Sequence, residues 1–172
     1  LENDLAFRIE SLHLLNGGLF PETHRALPIQ KLLLSPFGGL LIRFLNKNAI
    51  RKSMHNIFGP NTPPSDQDIN DFWILISTNN GHKHMHLLLD YMKQRKLYRE
   101  RWVSALQNAN APLRLTAGMA DPISGAHMVA RYKQLIPNAD VIELDQIGHY
   151  PQIESAEAVV NSITSFLGRY AN

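Results

Sequence analysis

Two strand-like segments near the end of the chain, each followed by a polar loop and a helical pattern, constrain the fold more than any other feature. Residues 113–117 precede a loop and a helical periodicity over 125–135, and residues 141–144 precede another loop and a helical pattern from about 155 to 169. Strands that alternate with helices in this way predict a parallel sheet with crossover helices. The sequence therefore predicts the α/β fold class.

The first two thirds of the chain contain one further strand candidate and a long helical region. Residues 9–15 alternate loosely and end at Asn16-Gly17-Gly18, which is typical of a strand that closes in a turn. From Leu19 to about Asn110, apolar residues recur at helical spacing over 32–45, 50–58, 69–76 and 85–102. We expect residues 1–18 and 111–172 to form the α/β core, and residues 19–110 to form a mainly helical cap of four or five short helices.

Composition excludes several classes of function. The 17 Lys and Arg residues nearly balance the 15 Asp and Glu residues, which does not indicate a nucleic-acid partner. The chain has no Cys, so disulfides and thiolate nucleophiles are excluded. No apolar run approaches the roughly 18 residues that a membrane-spanning helix needs. We expect a soluble, cytoplasmic protein with no cofactor, and the first residue, Leu1, favours a truncated or processed product.

Asp121 and His149 are the candidate catalytic residues. Each lies in a loop directly after a predicted strand, and loops at the carboxyl ends of adjacent parallel strands meet at one edge of a sheet. A His that acts as a general base needs a carboxylate to orient it, and Asp121 is in the position to do so. The alternatives are a turn or helix cap for Asp121 and a plain loop residue for His149. Asp145 is the other carboxylate available, and its closeness to His149 in sequence favours a solvated loop position.

The motifs around these residues resemble a known fold family. Gly-x-x-Asp-Pro begins at Gly118, and Gly-His-x-x-x-x-Glu runs from Gly148 to Glu154. Together they resemble the C-terminal part of α/β-hydrolase-fold enzymes. The resemblance implies that the three strands are the sixth, seventh and eighth of the family's sheet, that the helical region is a cap over the site, and that Asp121 and His149 are the catalytic acid and base.

Longer strings narrow the resemblance to one branch of that fold. Residues 14–25, Phe58-Gly59-Pro60 and Gln94-Arg95-Lys96 resemble proteins near the epoxide hydrolases and haloalkane dehalogenases. That branch uses an Asp nucleophile in a His-Asp-x-Gly elbow, and other relatives use Ser in Gly-x-Ser-x-Gly. Neither motif occurs in residues 1–172. The resemblance therefore implies that the nucleophile belongs to a missing N-terminal half of the fold.

Two further residues are candidate substrate ligands. The resemblance implies that a cap Tyr polarises the epoxide oxygen, and Tyr91 lies at a suitable distance before the seventh strand. The alternative is that Tyr91 is a residue of an amphipathic helix whose hydroxyl is exposed to solvent. Asn16 follows the sixth strand and is expected either to bind substrate or to form the turn before two glycines.

Two side-chain clusters in the cap are expected to be structural. His82 and His86 would share one helix face, but no carboxylate completes a metal site, so we expect no bound metal. The basic residues from Lys93 to Arg101 are expected on the exposed side of a helix that buries Leu97 and Trp102.

The leading hypothesis is therefore a hydrolase acting on a small apolar substrate, an epoxide, halide or ester, through a covalent intermediate, with the 172 residues inactive by themselves. The alternative is a non-catalytic interaction module derived from the same fold. An open edge at the sixth strand predicts oligomerisation.

Overall fold

The computed structural model describes residues 6–170, and its centre is a three-stranded parallel sheet. The strands are β1 (Leu12–Leu15), β2 (Leu113–Gly118) and β3 (Asp140–Leu144), in the spatial order β1-β2-β3. Both neighbouring pairs are parallel. The predicted α/β class and the parallel sheet are confirmed. β1 is shorter than predicted because its pairing begins where Leu12 meets Leu113, the first residue of β2.

Helices make up most of the rest of the described chain. Those between β1 and β2 are α1 (Pro28–Leu33), α2 (Gly38–Leu41), α3 (Lys47–Ile57), α4 (Asp66–Ser77), α5 (Met85–Leu88), α6 (Tyr91–Leu97) and α7 (Arg99–Gln107). Those after β2 are α8 (Ala126–Leu135), α9 (Pro151–Glu154) and α10 (Ala156–Leu167).

The predicted number of cap helices is wrong, because two long helical patterns are interrupted. The pattern over 85–102 is divided among α5, α6 and α7, and the backbone of Tyr98 leaves helical dihedrals at φ −103°, ψ 19°. The pattern over 32–45 is divided at Pro36, which lacks the amide hydrogen that a continuous helix requires there. Sequence periodicity persists through such breaks, so it overestimates helix length.

The two faces of β2 carry different side chains and are covered by different helices. Leu115 and Ala117 belong to a buried apolar cluster that includes Met128 and Val129 of α8. Thr116 and the fully buried Arg114 lie on the other face, where both bond to Ser162 of α10. Helices therefore cover both faces of the central strand, which leaves the loops at its carboxyl end for the site.

A second apolar cluster joins the cap to the core. Ile50, Met54 and Ile57 of α3 pack with Ile69 of α4 and with Ile123, which follows β2. α4 begins at the predicted cap: the Ser65 hydroxyl accepts a hydrogen bond from the amide of Asp68, and the Asp68 carboxylate accepts one from the amide of Ser65. The cap is thus fastened to the sheet by apolar side chains of α3 and α4.

Among the described helices, none has the length and apolar character needed to cross a membrane.

Candidate active site

The loops after β2 and β3 bring Asp121 and His149 into contact. Nδ1 of His149 lies 2.8 Å from Oδ2 of Asp121, although 28 positions separate the two residues in sequence. An ionised carboxylate only accepts hydrogen bonds, so the network assigns the proton to Nδ1 of His149. Nε2 of His149 then carries the lone pair, and it has no hydrogen-bond partner among residues 6–170. The ring is in the tautomer that can accept a proton at Nε2.

The loop geometry depends on two glycines and on backbone hydrogen bonds between the loops. The amides of Met119 and Ala120 donate to the carbonyls of Leu144 and Ile147. A Cβ on Gly118 would lie 2.1 Å from the carbonyl oxygen of Gly148, so any larger residue there would separate the two loops. The glycine that begins the Gly-x-x-Asp-Pro motif therefore permits the close approach that Asp121 and His149 need.

Asp121 is buried and held by four donors. In addition to His149, Oδ2 accepts hydrogen bonds from Oγ of Ser124 at 2.7 Å and from Nδ2 of Asn16 at 2.9 Å. Oδ1 accepts one from the backbone amide of Ile123 at 2.8 Å. These bonds fix the orientation of the carboxylate before any substrate binds.

The same hydrogen bonds determine the charge of Asp121. Burial raises the pKa of this carboxyl, but the hydrogen bond and charge of His149, with the bonds from Ser124 and Ile123, outweigh burial and hold the pKa below its ordinary value. Asp121 is therefore ionised at neutral pH.

Asn16 contacts the acid of the pair. It is the first residue after β1, with a positive φ of 45°, in agreement with the turn that the sequence indicates. Nδ2 donates to Asp121 and to the carbonyl of Gly148, and Oδ1 accepts from the amide of Gly118. Both amide hydrogens thus have partners inside the protein. This geometry describes a residue that positions Asp121, whereas its expected contact with substrate stays a prediction.

Glu154 fastens the His149 loop to the cap. Its Oε2 accepts hydrogen bonds from the amides of Gly59 and Gly148 and from the hydroxyl of Thr62, at 2.7–2.8 Å. Its Oε1 accepts from the amide of Tyr150 at 2.9 Å. One carboxylate therefore joins the start of α9 to the loop after α3.

Backbone and ring contacts complete the surroundings of His149. Its amide donates to the carbonyl of Ile57, the last residue of α3, at 2.8 Å. Its ring meets that of Tyr150 edge-on, and Tyr150 also packs against Phe58 and Phe72 of the cap. The position of His149 thus depends on the cap as well as on the sheet.

The remaining predicted residues lie outside this network. Tyr91 is 41% exposed, and its ring lies against the guanidinium of Arg95. Asp145 is exposed. His82 lies in a 3₁₀ segment and His86 in α5, so they do not share one helix face as expected. In residues 6–170, no group of three or more His, Asp or Glu side chains could hold a metal ion.

The expected orientation of the basic cap helix is wrong for Arg95, Leu97 and Trp102, although Lys93, Lys96 and Arg101 are exposed as expected. Arg95 is buried, with 9% of its surface exposed, whereas Leu97 is 74% exposed and Trp102 is 39% exposed. Arg95 and Leu97 are two residues apart on α6 and therefore lie on different sides of that helix, and the packing of α6 buries the side that carries Arg95.

One residue of the site, Ser124, and the burial of Arg95 in the cap were not identified from the sequence. Ser124 has a local signal, since a hydroxyl three positions after an Asp commonly bonds to it in a turn. The burial of Arg95 has no local signal in the sequence.

The sheet, its crossover helices and its cap define the C-terminal part of the α/β-hydrolase fold. Two solved structures show this fold by similarity. The chain superposes on a haloalkane dehalogenase variant from Bradyrhizobium elkanii with a TM-score of 0.72 at 13% identity, covering 94% of this chain and 60% of that one. It also superposes on a thermophilic esterase from Thermogutta terrifontis with a TM-score of 0.69 at 17% identity, covering 95% of this chain and 57% of the esterase.

At the level of sequence, the chain is similar to the mesoderm-specific transcript protein of Mus musculus. The two are 38% identical over 169 residues, which cover 94% of this chain and 50% of the relative. LipZ of Mycobacterium tuberculosis, which is provisionally named as a hydrolase, is 32% identical over 167 residues. The matched region covers 97% of this chain and 58% of LipZ. The chain thus spans about half the length of the curated relatives it matches. No model of a protein family matches it.

Proposed function

We propose that this chain supplies the general base and its orienting acid to a hydrolase that works through a covalent intermediate. The observation that carries the proposal is the 2.8 Å contact between His149 and Asp121, with the acid buried and held by three other donors. Such a pair holds the imidazole in the tautomer with a free Nε2 and places a carboxylate beside the imidazolium that forms when Nε2 accepts a proton. An acid and a base that are already oriented in this way favour proton transfer.

In the proposed reaction, a nucleophile from outside these 172 residues attacks the substrate, and His149 activates the water that releases the product. Nε2 accepts one proton from that water as its oxygen attacks the covalent intermediate, and the proton later passes to the leaving group or to solvent. Asp121 stays ionised and holds the ring. The fold neighbours and LipZ support hydrolysis in general, and epoxides, halides and esters are the proposed substrate classes.

The test is turnover by the protein expressed from its complete gene, with styrene oxide, 1-bromobutane and 4-nitrophenyl butyrate as probes. We expect hydrolysis of at least one probe. His149→Gln should lower turnover by about 10²–10⁴-fold, the usual contribution of a general base. His55→Gln, at an exposed position of α3, is the matched control and should retain full activity. With an Asp nucleophile, which attacks without a base, mass spectrometry of the His149→Gln variant should detect the accumulated covalent adduct, whereas with a Ser nucleophile, which His149 must deprotonate, no adduct should form.

A second candidate, an interaction module, is favoured by the exposed apolar side chains of the cap. Leu75, Leu87 and Leu88 are each more than 60% exposed. In a binding module, the His149→Gln substitution would not change the function. Full activity in the His149→Gln variant would therefore exclude the hydrolase proposal and favour this candidate.

A further inference from the structure

Arg95 is a buried cation without a carboxylate partner among the described residues. Its guanidinium carbon lies 4.6 Å from the centre of the Tyr91 ring, and Nη1 donates to the carbonyl of Gly18. A buried charge is costly unless an opposite charge or several hydrogen bonds satisfy it. One carbonyl and one aromatic ring satisfy the guanidinium only in part.

The unsatisfied part of Arg95 is the edge that binds carboxylates. Nε is buried and has no hydrogen-bond partner within residues 6–170. Nη1 is used by Gly18, which leaves the edge formed by Nε and Nη2. Two parallel N–H groups on such an edge match the two oxygens of a carboxylate.

The guanidinium occupies space that a side chain at residue 18 would fill. A Cβ on Gly18 would lie 2.0 Å from Nη1 of Arg95, so the absence of a side chain at residue 18 makes room for the group. Gly18 is two residues after Asn16, which places their Cα atoms within about 7.6 Å of each other. Because Asn16 bonds to Asp121, the guanidinium is attached to the same short loop that positions the catalytic acid.

His24 provides a second unsatisfied group in the same region. Both ring nitrogens of His24 are buried and have no hydrogen-bond partner among the described residues. Burial lowers the pKa of His24 and the charge of Arg95 lowers it further, while Asp121 opposes the change. The ring is therefore neutral at pH 7, with one N–H group to donate.

The loop that carries His24 is held in place on both sides. Glu22, two residues earlier, pairs with Arg99 of α7 and with Arg131 of α8. The segment that precedes His24 is therefore held to α7 and α8 through Glu22.

We propose that the Nε–Nη2 edge of Arg95, together with the imidazole of His24, binds the carboxylate of a small organic acid next to Asp121 and His149. The inference rests on the proposed function, which it extends: the substrate carries an anionic carboxylate in addition to its hydrolysable bond. Tyr91 then acts through Arg95, whose guanidinium it supports. The same carboxylate chemistry could come from a side chain of another protein segment, and the experiment separates these two sources.

The test is a titration of the protein expressed from its complete gene with succinate, followed through the arginine Nε–H resonances by NMR. Succinamide, which has the same length without the charge, is the matched ligand control. We expect a saturable shift of one Nε–H resonance with succinate alone. Arg95→Gln should remove that resonance and weaken succinate binding at least about tenfold, as the loss of a charge-assisted hydrogen bond predicts. Arg101→Gln, at an exposed position of α7, should leave binding unchanged.

Two further variants separate the roles of charge and geometry. Arg95→Lys keeps the charge without the paired edge, and we expect intermediate affinity. Gly18→Ala keeps Arg95 but places a methyl group in the space that the guanidinium occupies, and we expect weaker succinate binding. Thermal unfolding provides the second readout. If the guanidinium is kept for a ligand, Arg95→Gln will not lower the melting temperature.

Three results would overturn the inference: a succinate shift that survives Arg95→Gln, an equal response to succinamide, or no succinate shift together with a lower melting temperature for Arg95→Gln. The last result would show that Arg95 serves stability through contacts within the protein. Succinate binding is measured without turnover. Full activity of the His149→Gln variant would therefore reject the hydrolase proposal without affecting the evidence for the anion site.

Discussion

Replacing Glu154 by Gln should destabilise the protein and displace the His149 loop. The carboxylate accepts four hydrogen bonds, three of them from backbone amides that have no other partner close by: those of Gly59, Gly148 and Tyr150. The amide of Gln has the same shape but one oxygen instead of two, and no charge. If that oxygen replaces Oε2, three bonds survive as neutral bonds and the amide of Tyr150 faces an NH₂ group.

The magnitude follows from the difference between charged and neutral hydrogen bonds. A bond to a charged group contributes about 1.5–3 kcal/mol and a neutral bond about 0.5–1.5 kcal/mol, so each retained bond loses roughly 1 kcal/mol. The contributions are not additive, because three donors share one oxygen and Glu154 is only partly buried. We expect a total loss of about 2–3 kcal/mol in the free energy of unfolding. For a protein of this size, that lowers the melting temperature by roughly 5–10 °C.

Urea and thermal unfolding, followed by circular dichroism, will measure this loss. Glu157→Gln is the matched control, since Glu157 is an exposed acid in the first turn of α10, and it should change stability by less than about 0.5 kcal/mol. NMR should also detect a changed environment of the His149 ring in the Glu154→Gln variant. If Glu154→Gln is as stable as Glu157→Gln, the reasoning about Glu154 is wrong.

Three other predictions concern the core, acid stability and assembly. Asp140→Ala removes the acid that pairs with the fully buried Arg114, and should cost about 3 kcal/mol in urea unfolding; a loss below 1 kcal/mol would contradict it. The hydrogen bond from Arg99, with that from Arg131, lowers the pKa of Glu22 from 4.5 to about 2, so its stabilisation is present above pH 4.5 and is lost as the pH falls towards 2. Because Glu22 is one-third exposed, Glu22→Gln should remove only about 1 kcal/mol of that pH dependence, and an unchanged acid-unfolding curve would refute the assignment. Within the described residues β1 pairs only with β2, so the 172-residue chain should oligomerise in analytical ultracentrifugation, and a monomer at all concentrations would disprove this.

Some features of the site depend on signals that lie close together in the sequence. The strands β2 and β3, the glycines that precede Asp121 and His149, and the capping box at Ser65 each occupy a short segment whose residue types favour one local structure. Parallel strands place their carboxyl ends at one edge, so the meeting of the two loops also follows from the sequence.

The cap was predicted less well for a physical reason. A helical period continues from residue 85 to residue 102, although α5 ends at Leu88 and the backbone leaves helical dihedrals at Tyr98, and the sequence does not indicate how each short helix is then rotated. The rotation is decided by packing against the rest of the fold, which buries Arg95 and exposes Leu97.

The sequence by itself determined the α/β class, the positions of the strands after residue 110, and the pairing of Asp121 with His149. Only the tertiary structure decided which side chains hold that pair. Asn16 is 105 positions from Asp121, and Glu154 reaches back to Gly59 across 95. Local propensity acts over a few residues, whereas hydrogen bonds between distant segments and the burial of a cation such as Arg95 exist only after the chain has folded.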